Sequence, residues 1–386
     1  MRSSLLGSRQ IGISLLAYSP SRLAGAGTYT LGLTRALTSR APSRFTVFVP
    51  PRYEGMWRGA LPRRVNFVIC GPDPDRRILR VLFEQIRLPK IALRHQVETI
   101  FFPHLFAPRW RRPRAVVTLY DLLLLSKRTD FPWYKRAYHR LAYQSIAVHA
   151  ACIVTISEFC RRDIVHRLGV SAERVVVAPP GLDAEFLGPP ADGAPRLDLP
   201  ERYLLSVAGR YPHKRLSVVL DVFAMLFDEV PDLHLVIAGA HAGDRGAIAI
   251  ADLFAAAQMK GVEARVRILP RLERTDMPEL FRRASALVSA SEFEGFGIPM
   301  IEAMAVGCPV AASPAEAVVE VLGGFGWIAT DFSADALATV TRQALGARSS
   351  DRNETLLKAR QRSVSLYTWE GAAGALEPVL TSSMAS

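Results

Sequence analysis

The spacing of apolar residues along this chain of 386 residues changes repeatedly between that of a strand and that of a helix. Short apolar runs alternate with stretches in which apolar residues recur every three or four positions, as over Ile78–His95 and Tyr134–Ala150. In the first half, the predicted strands are Ile11–Ala17, Phe45–Val49, Val65–Cys70, Thr99–Phe102, Ala115–Leu119, Cys152–Ile156 and Val175–Ala178. This alternation is typical of an α/β fold with a parallel, doubly wound sheet.

The same alternation begins again after residues 179–200, which are rich in proline, glycine and aspartate and are predicted to link two domains. The second set of predicted strands is Tyr203–Ala208, Leu233–Ala238, Val266–Leu269, Ala286–Ser289 and Pro309–Ala312. We therefore predict two Rossmann-like domains, residues 1–180 and 181–362. Residues 363–386 are predicted to form a terminal helix that crosses back toward the first domain, since Trp369 must be buried somewhere.

Composition narrows the class of protein. Hydrophobic residues make up 49% of the chain and charged residues 22%, which is typical of a globular protein. No apolar run reaches the roughly 18 residues that a membrane-spanning helix needs, and the first residues lack the pattern of a signal peptide. The four cysteines are scattered without CxxC spacing, which favours a reducing, cytoplasmic location.

Charge is distributed very unevenly between the two halves. Residues 1–178 carry 29 Lys and Arg against 10 Asp and Glu, whereas the remaining 208 residues carry 19 against 26. The first half is therefore expected to face an anionic partner, such as a membrane surface, a pyrophosphate-linked acceptor or nucleic acid. Because no helix-turn-helix, RRM or KH pattern is visible, we do not expect nucleic acid to be the partner.

Arg76–Arg94 resembles an amphipathic helix that bears cations, with Leu79, Leu82, Phe83 and Ile86 on its apolar side. Such a helix can rest on anionic lipid headgroups, although the same apolar side would also suit a helix that faces the core. The sequence thus predicts a peripheral protein at the inner face of the cytoplasmic membrane.

Two carboxylates lie eight positions apart in the most informative stretch, residues 291–310. Glu294 precedes a glycine-containing turn and Glu302 lies on the helix that Pro299 is predicted to begin. The main-chain amides of Gly295, Phe296, Gly297 and Ile298 would then point out from the N-terminus of that helix. This arrangement suits a phosphate or sugar hydroxyls, and Glu302 would lie where it can accept hydrogen bonds from a ribose diol.

Two cations follow the first predicted strand of the second domain, directly after Gly209. Arg210 offers a planar set of donors to phosphate oxygens and Lys214 offers a compact charge. The carboxyl ends of strands are where α/β sheets bind their ligands, so these residues are candidates for holding a diphosphate.

The stretch from Glu294 to Glu302 resembles the E-x7-E signature of the retaining GT-B glycosyltransferases of family GT4. Further resemblances lie at Ser206-Val-Ala-Gly-Arg210 with Lys214, at Leu235-Val-Ile-Ala-Gly239, at Ser157-Glu-Phe-Cys-Arg-Arg-Asp163, at Pro180-Gly-Leu-Asp183 and at Tyr367-Thr-Trp-Glu370. The resemblance implies a GT-B fold, a nucleotide-sugar donor bound by the second domain, an acceptor bound by the first, and Glu294 beside the reacting sugar.

The resemblance also points to residues in the first domain. A glycine loop in the family occupies the place of Ala24-Gly-Ala-Gly-Thr28, which implies that Gly25 and Gly27 lie near the donor diphosphate. Family members commonly have a His-Asp pair after a later strand, whereas this chain has Tyr120 and Asp121. Tyrosine is a poor base near neutral pH. Asp121 would either orient the acceptor or cap the following segment, and His104 is a further candidate.

The sequence leaves several hypotheses about the activity open. The sequence as a whole resembles bacterial mannosyltransferases that build surface polysaccharide. This resemblance favours GDP-mannose as donor and a glycan or lipid-linked acceptor. UDP-glucose or UDP-GlcNAc, and another GT-B activity such as a nucleotide-sugar epimerase or a phosphorylase, are the alternatives. A dehydrogenase is disfavoured because GxGxxG is missing. We expect no cofactor and no metal, since Asp73-Pro-Asp75 is better explained as a turn.

Overall fold

A computed structural model of the chain describes residues 10–19, 25–125, 133–188, 197–239, 249–270, 272–348 and 353–382. The chain folds into two compact units. The N-terminal unit comprises Met1–Gly181 together with Thr368–Ser386, and the C-terminal unit comprises Leu182–Tyr367. The terminal segment assigned to the N-terminal unit begins at Thr368, five residues later than the predicted position 363.

The N-terminal unit contains a parallel sheet in the order β3-β2-β1-β4-β5-β6-β7. Its strands are β1 (Gln10–Ser14), β2 (Phe45–Val49), β3 (Asn66–Ile69), β4 (Val97–Phe102), β5 (Arg114–Thr118), β6 (Cys152–Thr155) and β7 (Val175–Val177). Its helices are α1 (Gly25–Arg40), α2 (Glu54–Ala60), α3 (Arg77–Ile86), α4 (Leu88–Arg94), α5 (Trp133–His149), α6 (Glu158–Leu168) and, at the end of the chain, α14 (Trp369–Thr381). All seven predicted strands of this half are present with slightly different ends.

Local sequence explains where these elements begin and end. The hydroxyl of Ser157 accepts a hydrogen bond from the amide of Cys160 and caps α6, which ends at Gly169 with a left-handed φ of 64°. At the chain's end, α14 packs on α1 because Gly32 carries no side chain: a Cβ there would overlap the indole of Trp369. Trp369 is only 8% exposed, so its predicted burial is confirmed.

Two predictions for this unit were wrong in detail. The single helix predicted over Ile78–His95 is two helices, α3 and α4, because Pro89 has no N–H to donate back to the preceding turn. Gly25 and Gly27 were assigned to a loop, but α1 begins at Gly25 and both glycines lie in its first turn, Gly25 exposed and Gly27 buried.

The C-terminal unit contains a second parallel sheet in the order β10-β9-β8-β11-β12-β13. Its strands are β8 (Tyr203–Val207), β9 (His234–Ala238), β10 (Val266–Ile268), β11 (Ala286–Ser289), β12 (Val310–Ala312) and β13 (Trp327–Ile328). Its helices are α7 (Leu216–Leu226), α8 (Ile250–Met259), α9 (Met277–Arg283), α10 (Ile298–Ala305), α11 (Glu316–Leu322), α12 (Ala334–Leu345) and α13 (Asn353–Leu366). No helix among the described residues is long and apolar enough to cross a bilayer.

Candidate functional site

The strand order of the C-terminal unit reverses between β8 and β11, which lie side by side. At such a switch point the segments that follow two neighbouring strands separate and leave a crevice for a ligand. Gly209, Arg210 and Lys214 follow β8, and Glu294 follows β11. The fold therefore brings these sequence-predicted residues to one edge of one sheet.

Lys214 and Glu294 form the central contact of this edge. Lys214 Nζ lies 2.6 Å from Glu294 Oε1, and the side chains are 18% and 15% exposed. Partial burial strengthens the attraction between the two charges relative to water. A neighbouring ion pair joins Arg215 and Glu292 at 3.4 Å, so two cations of one segment meet two carboxylates of the other.

Main-chain and ring contacts fix the segment that follows β8 and hold it against the segment that follows β11. The amide of Glu292 donates to the carbonyl of His213 at 2.9 Å, and the ring of Tyr211 stacks on that of His213. Gly209 lies close to the ring of Tyr211, since a Cβ there would be 3.1 Å from it. Arg210 is 6% exposed, so its guanidinium is largely enclosed by the protein rather than solvated on the surface.

The acid sensitivity of this edge depends on His213. Burial, reinforced by the charge of Lys214 and opposed by Glu294, lowers the pKa of His213 from its usual 6.5 to about 4. Between these values the unfolded chain binds a proton that the folded protein does not, so stability falls as the pH drops from about 6.5 toward 4. We expect the urea midpoint of wild type to fall more between pH 7 and pH 5 than that of His213→Gln. Equal falls in both proteins would contradict this origin.

The segment that follows β11 ends at the N-terminus of α10. Gly297 has a φ of 104°, a left-handed conformation that favours glycine, and Pro299 occupies the first turn of the helix. Phe296 is 3% exposed and contacts the ring of Tyr367, which anchors the turn in the core. Gly295, Phe296, Gly297 and Ile298 are thus held just before or at the start of a helix, as predicted, where main-chain amides favour anions.

Glu302 lies within α10 and is only 2% exposed. Its Oε1 is 2.5 Å from Arg274 Nη2, and Nε of the same arginine donates to Asp183 at 2.7 Å. Burial raises the pKa of Glu302, and Arg274 opposes this shift. The buried carboxylate predicted to meet a ribose is therefore held by Arg274, which is 32% exposed and which no motif in the sequence indicated.

The strand order of the N-terminal unit reverses between β1 and β4. Here the hydroxyl of Tyr120 donates to the carbonyl of Pro103 at 2.8 Å, and the hydroxyl of Thr30 donates to Pro103 and Ala26. These bonds join the first turn of α1, which holds Gly25 and Gly27, to the segments after β4 and β5. Burial raises the pKa of Tyr120, so its hydroxyl stays protonated.

Asp121 and His104 have partners within the N-terminal unit. Asp121 Oδ1 accepts from the amide of Leu123 at 2.9 Å and so caps the 3-10 turn Leu123–Leu125, the structural role that the sequence left open. His104 Nε2 lies 3.2 Å from Glu84 Oε1. Burial is the main cause of a lowered pKa for His104, and the carboxylate of Glu84 opposes it.

Glu84 was not identified from the sequence, although it is the only acid between Arg76 and Gln96. It is fully buried on α3 and holds three neighbours: Ser14 Oγ donates at 3.2 Å, Arg80 Nη1 at 3.0 Å, and His104 is its third partner. Because a buried charge must be paired, these three partners make Glu84 an organising residue of the switch point.

Metal-binding candidates are few in the part of the chain that the structure describes. It contains no group of three or more His, Cys, Asp or Glu side chains that could hold a metal ion. The Asp73-Pro-Asp75 segment forms a turn in which the amide of Asp75 donates to Asp73, and Arg52 pairs with both carboxylates.

Comparison with known proteins assigns both halves of the chain to one class of enzyme. Residues 23–186 match the family model described as Glycosyltransferase Family 4, and residues 192–362 match that of the Glycosyl transferases group 1. O-antigen chain mannosyltransferase B of Escherichia coli is 26% identical over 262 residues, 66% of this chain and 67% of that protein.

A second relative agrees with this assignment, and a solved structure has the same fold. D-inositol 3-phosphate glycosyltransferase of Mycobacterium bovis is 28% identical over 239 residues, 60% of this chain and 49% of that protein, so the match spans about half of that relative's length. The crystal structure of Anabaena Alr3699/HepE in complex with UDP-glucose superimposes with a TM-score of 0.71 at 15% identity, covering 96% of this chain and 99% of that one. The chain is therefore a glycosyltransferase with the GT-B fold, which combines a family 4 domain with a group 1 domain.

Proposed function

We propose that this glycosyltransferase moves a hexose, with mannose favoured, from a nucleoside-diphosphate sugar to a glycan or lipid-linked acceptor, with retention of anomeric configuration. The observation that carries the proposal is the Lys214–Glu294 ion pair at the switch point of the C-terminal unit, beside the first turn of α10. Cations and oriented amides at such an edge suit a diphosphate, and carboxylates suit the hydroxyls of a sugar.

The donor site follows from this arrangement. Arg210, Lys214 and the amides from Gly295 to Ile298 bind the diphosphate, Glu294 accepts hydrogen bonds from the sugar, and Glu302 accepts them from the ribose. As the bond between the sugar's anomeric carbon and the phosphate oxygen breaks, negative charge grows on the leaving diphosphate, and the fixed cations stabilise it. Gly25 and Gly27, in the first turn of α1, are proposed as further donors of main-chain amides to a diphosphate.

Retention requires the acceptor oxygen to bond to the anomeric carbon on the face from which the diphosphate leaves. The acceptor's proton then passes to the leaving phosphate oxygen, so no strong protein base is needed. Tyr120 suits this scheme, because its hydroxyl donates to Pro103 and its raised pKa keeps that hydroxyl protonated, so that no phenolate is present to act as a base. Its role, and that of Asp121, is to shape the acceptor side of the N-terminal unit.

GDP-mannose is the favoured donor because the Escherichia coli relative is a mannosyltransferase. UDP-glucose is the alternative, since the Anabaena structure holds UDP-glucose. An epimerase would use the same nucleotide and is separated from a transferase by analysis of the product. No divalent metal is proposed to take part.

Calorimetric titration with GDP, UDP and their sugars in EDTA tests the donor site. Micromolar binding of one nucleotide is expected, lost in Arg210→Ala and Glu294→Ala but kept in Arg63→Ala, which removes an exposed cation elsewhere. Binding that needs added metal would contradict the metal-free site. Absence of nucleotide binding both with and without metal would contradict the proposed function.

The enzyme is further proposed to work at the inner face of the cytoplasmic membrane, through α3. On this helix the charged residue is buried and the apolar residues are exposed. Glu84 is its only buried residue, whereas Ile78, Leu79, Leu82 and Ile86 are 50–77% exposed. Since each residue turns the helix by about 100°, holding Glu84 inward directs Leu82 and Ile86 outward. An apolar stripe flanked by arginines fits an anionic lipid surface.

Sedimentation with phosphatidylglycerol vesicles at low salt tests this proposal. The double variant Leu82→Glu/Ile86→Glu is expected to weaken binding at least fivefold, because it places two carboxylates against anionic headgroups. Met259→Glu is the matched control, since Met259 is 90% exposed on α8 of the C-terminal unit. Equal binding by wild type and the double variant would contradict the role of α3.

A further inference from the structure

Helix α5 exposes large apolar side chains that the sequence pattern assigned to an ordinary amphipathic helix. Trp133 is 80% exposed, Leu141 67% and Val148 72%, and Tyr134 and Tyr138 are more than half exposed. The buried residues of α5 are Ala142, Tyr143 and Ile146, all in its C-terminal half. Apolar side chains clustered on a surface mark a place where another molecule binds.

Two of these side chains, Trp133 and Val148, are among the described residues that border a groove of about 730 Å³ between α5, the end of α6 and the turn Leu123–Leu125. Among the described residues, its lining combines polar side chains, from Gln144 and three arginines, with the apolar side chains of Leu124, Leu125, Trp133, Ala137, Ala147, Val148 and Leu168. This volume lies in the range of sites that bind small organic ligands. The apolar part of the lining suits a hydrocarbon chain, and the polar part suits a charged group.

The rim of the groove is cationic. Arg136 and Arg140 project from α5, and Arg167 of α6 is paired with Asp163. Neither Arg136 nor Arg140 forms an ion pair with any described residue, and α5 contains no Asp or Glu. Two arginines four positions apart lie on one face of a helix and can together bind a phosphate.

We propose that this groove binds the lipid phosphate of the acceptor, with the hydrocarbon chain along the apolar wall and the phosphate on Arg136 and Arg140. The inference rests on the proposed function and deepens it, because it names the acceptor as a lipid-linked phosphate and places its binding site. A second copy of the chain is a poorer occupant, since two identical faces would oppose the same arginines.

Sheet topology places this groove on the same side of the N-terminal unit as α3. The connections from β3 to β4 and from β5 to β6 run in the same direction across the sheet, and parallel crossovers are right-handed. Helices α3 and α5 therefore cover the same face. The proposed membrane-binding helix and the groove therefore belong to the same side of the sheet, which is the arrangement that a lipid acceptor requires.

Titration of the full chain with farnesyl phosphate tests this inference, with farnesol and inorganic phosphate as separate arms. Farnesyl phosphate is expected to shift the fluorescence of Trp133 to shorter wavelength, and the shift should be lost in Trp133→Phe. Arg136→Gln/Arg140→Gln should weaken binding at least tenfold. Arg63→Gln/Arg64→Gln, which removes two exposed cations from the same unit, should not.

Equal weakening by both arginine pairs, or equal affinity for farnesol and farnesyl phosphate, would overturn the inference. So would a dimer in analytical ultracentrifugation that Val148→Glu makes monomeric, because the groove, which Val148 lines, would then be covered by a second copy of the chain. Nucleotide binding is measured on the same variants. If nucleotide binds and farnesyl phosphate does not, the inference fails alone, whereas failure of nucleotide binding counts against the proposed function.

Discussion

Replacement of Glu294 by glutamine is expected to lower kcat/KM for glycosyl transfer by about 100-fold. Glutamine keeps the shape of the side chain but removes the charge that accepts hydrogen bonds from the sugar and holds Lys214, whose Nζ lies 2.6 Å away. Initial rates with the donor that calorimetry identifies measure the loss. Glu292→Gln is the matched control, since Glu292 lies in the same segment but pairs with Arg215.

The pairing itself is tested by combining Glu294→Gln with Lys214→Met. If the two side chains act as a unit on the donor, the double variant will be little worse than the poorer single variant. Losses that simply multiply would show that Lys214 and Glu294 act independently. A variant of Glu294 that kept full activity would contradict its placement beside the reacting sugar.

Replacement of Glu84 by alanine is expected to destabilise the protein by about 3–5 kcal/mol, because it leaves Arg80 partly buried without its carboxylate. Glu84 is completely buried and Arg80 is only 14% exposed, and Ser14 and His104 would lose the same acceptor. Urea unfolding followed by circular dichroism measures the change. The expected loss is a large part of the stability of a typical domain.

Glu54→Ala is the matched control for this prediction. Glu54 also pairs with an arginine four positions away, Arg58, but both side chains are exposed to solvent, 37% and 53% respectively. An exposed pair of this kind contributes about 0.3–0.5 kcal/mol. Similar effects of Glu54→Ala and Glu84→Ala would show that burial does not make Glu84 an organising residue of the switch point.

The sequence was sufficient to predict the class of fold. Strands that are buried on both faces are nearly continuous apolar runs in the sequence. Such runs can be recognised without knowing which strands will lie beside them. The sequence therefore predicted every strand of both sheets except β13 (Trp327–Ile328), which is only two residues long. The ends of helices were less certain, as the break at Pro89 and the start of α1 at Gly25 show, because they depend on which main-chain groups find partners.

The residues of the donor edge could also be predicted, because family motifs follow the carboxyl ends of strands. The sequence indicated Arg210, Lys214 and Glu294 as a group, and the sheet order places them at one switch point. Their roles toward the donor stay predictions for the nucleotide titration.

Only the tertiary structure decided which charged residues are enclosed and which apolar ones are exposed. Arg274 reaches Glu302 across 28 positions of sequence, and Glu84 meets Ser14 across 70. Periodicity could not tell whether the apolar side of α3 faces the core, because the rotation of a helix depends on its contacts. The buried hydrogen bonds of Glu84 hold that rotation and leave Leu82 and Ile86 in solvent.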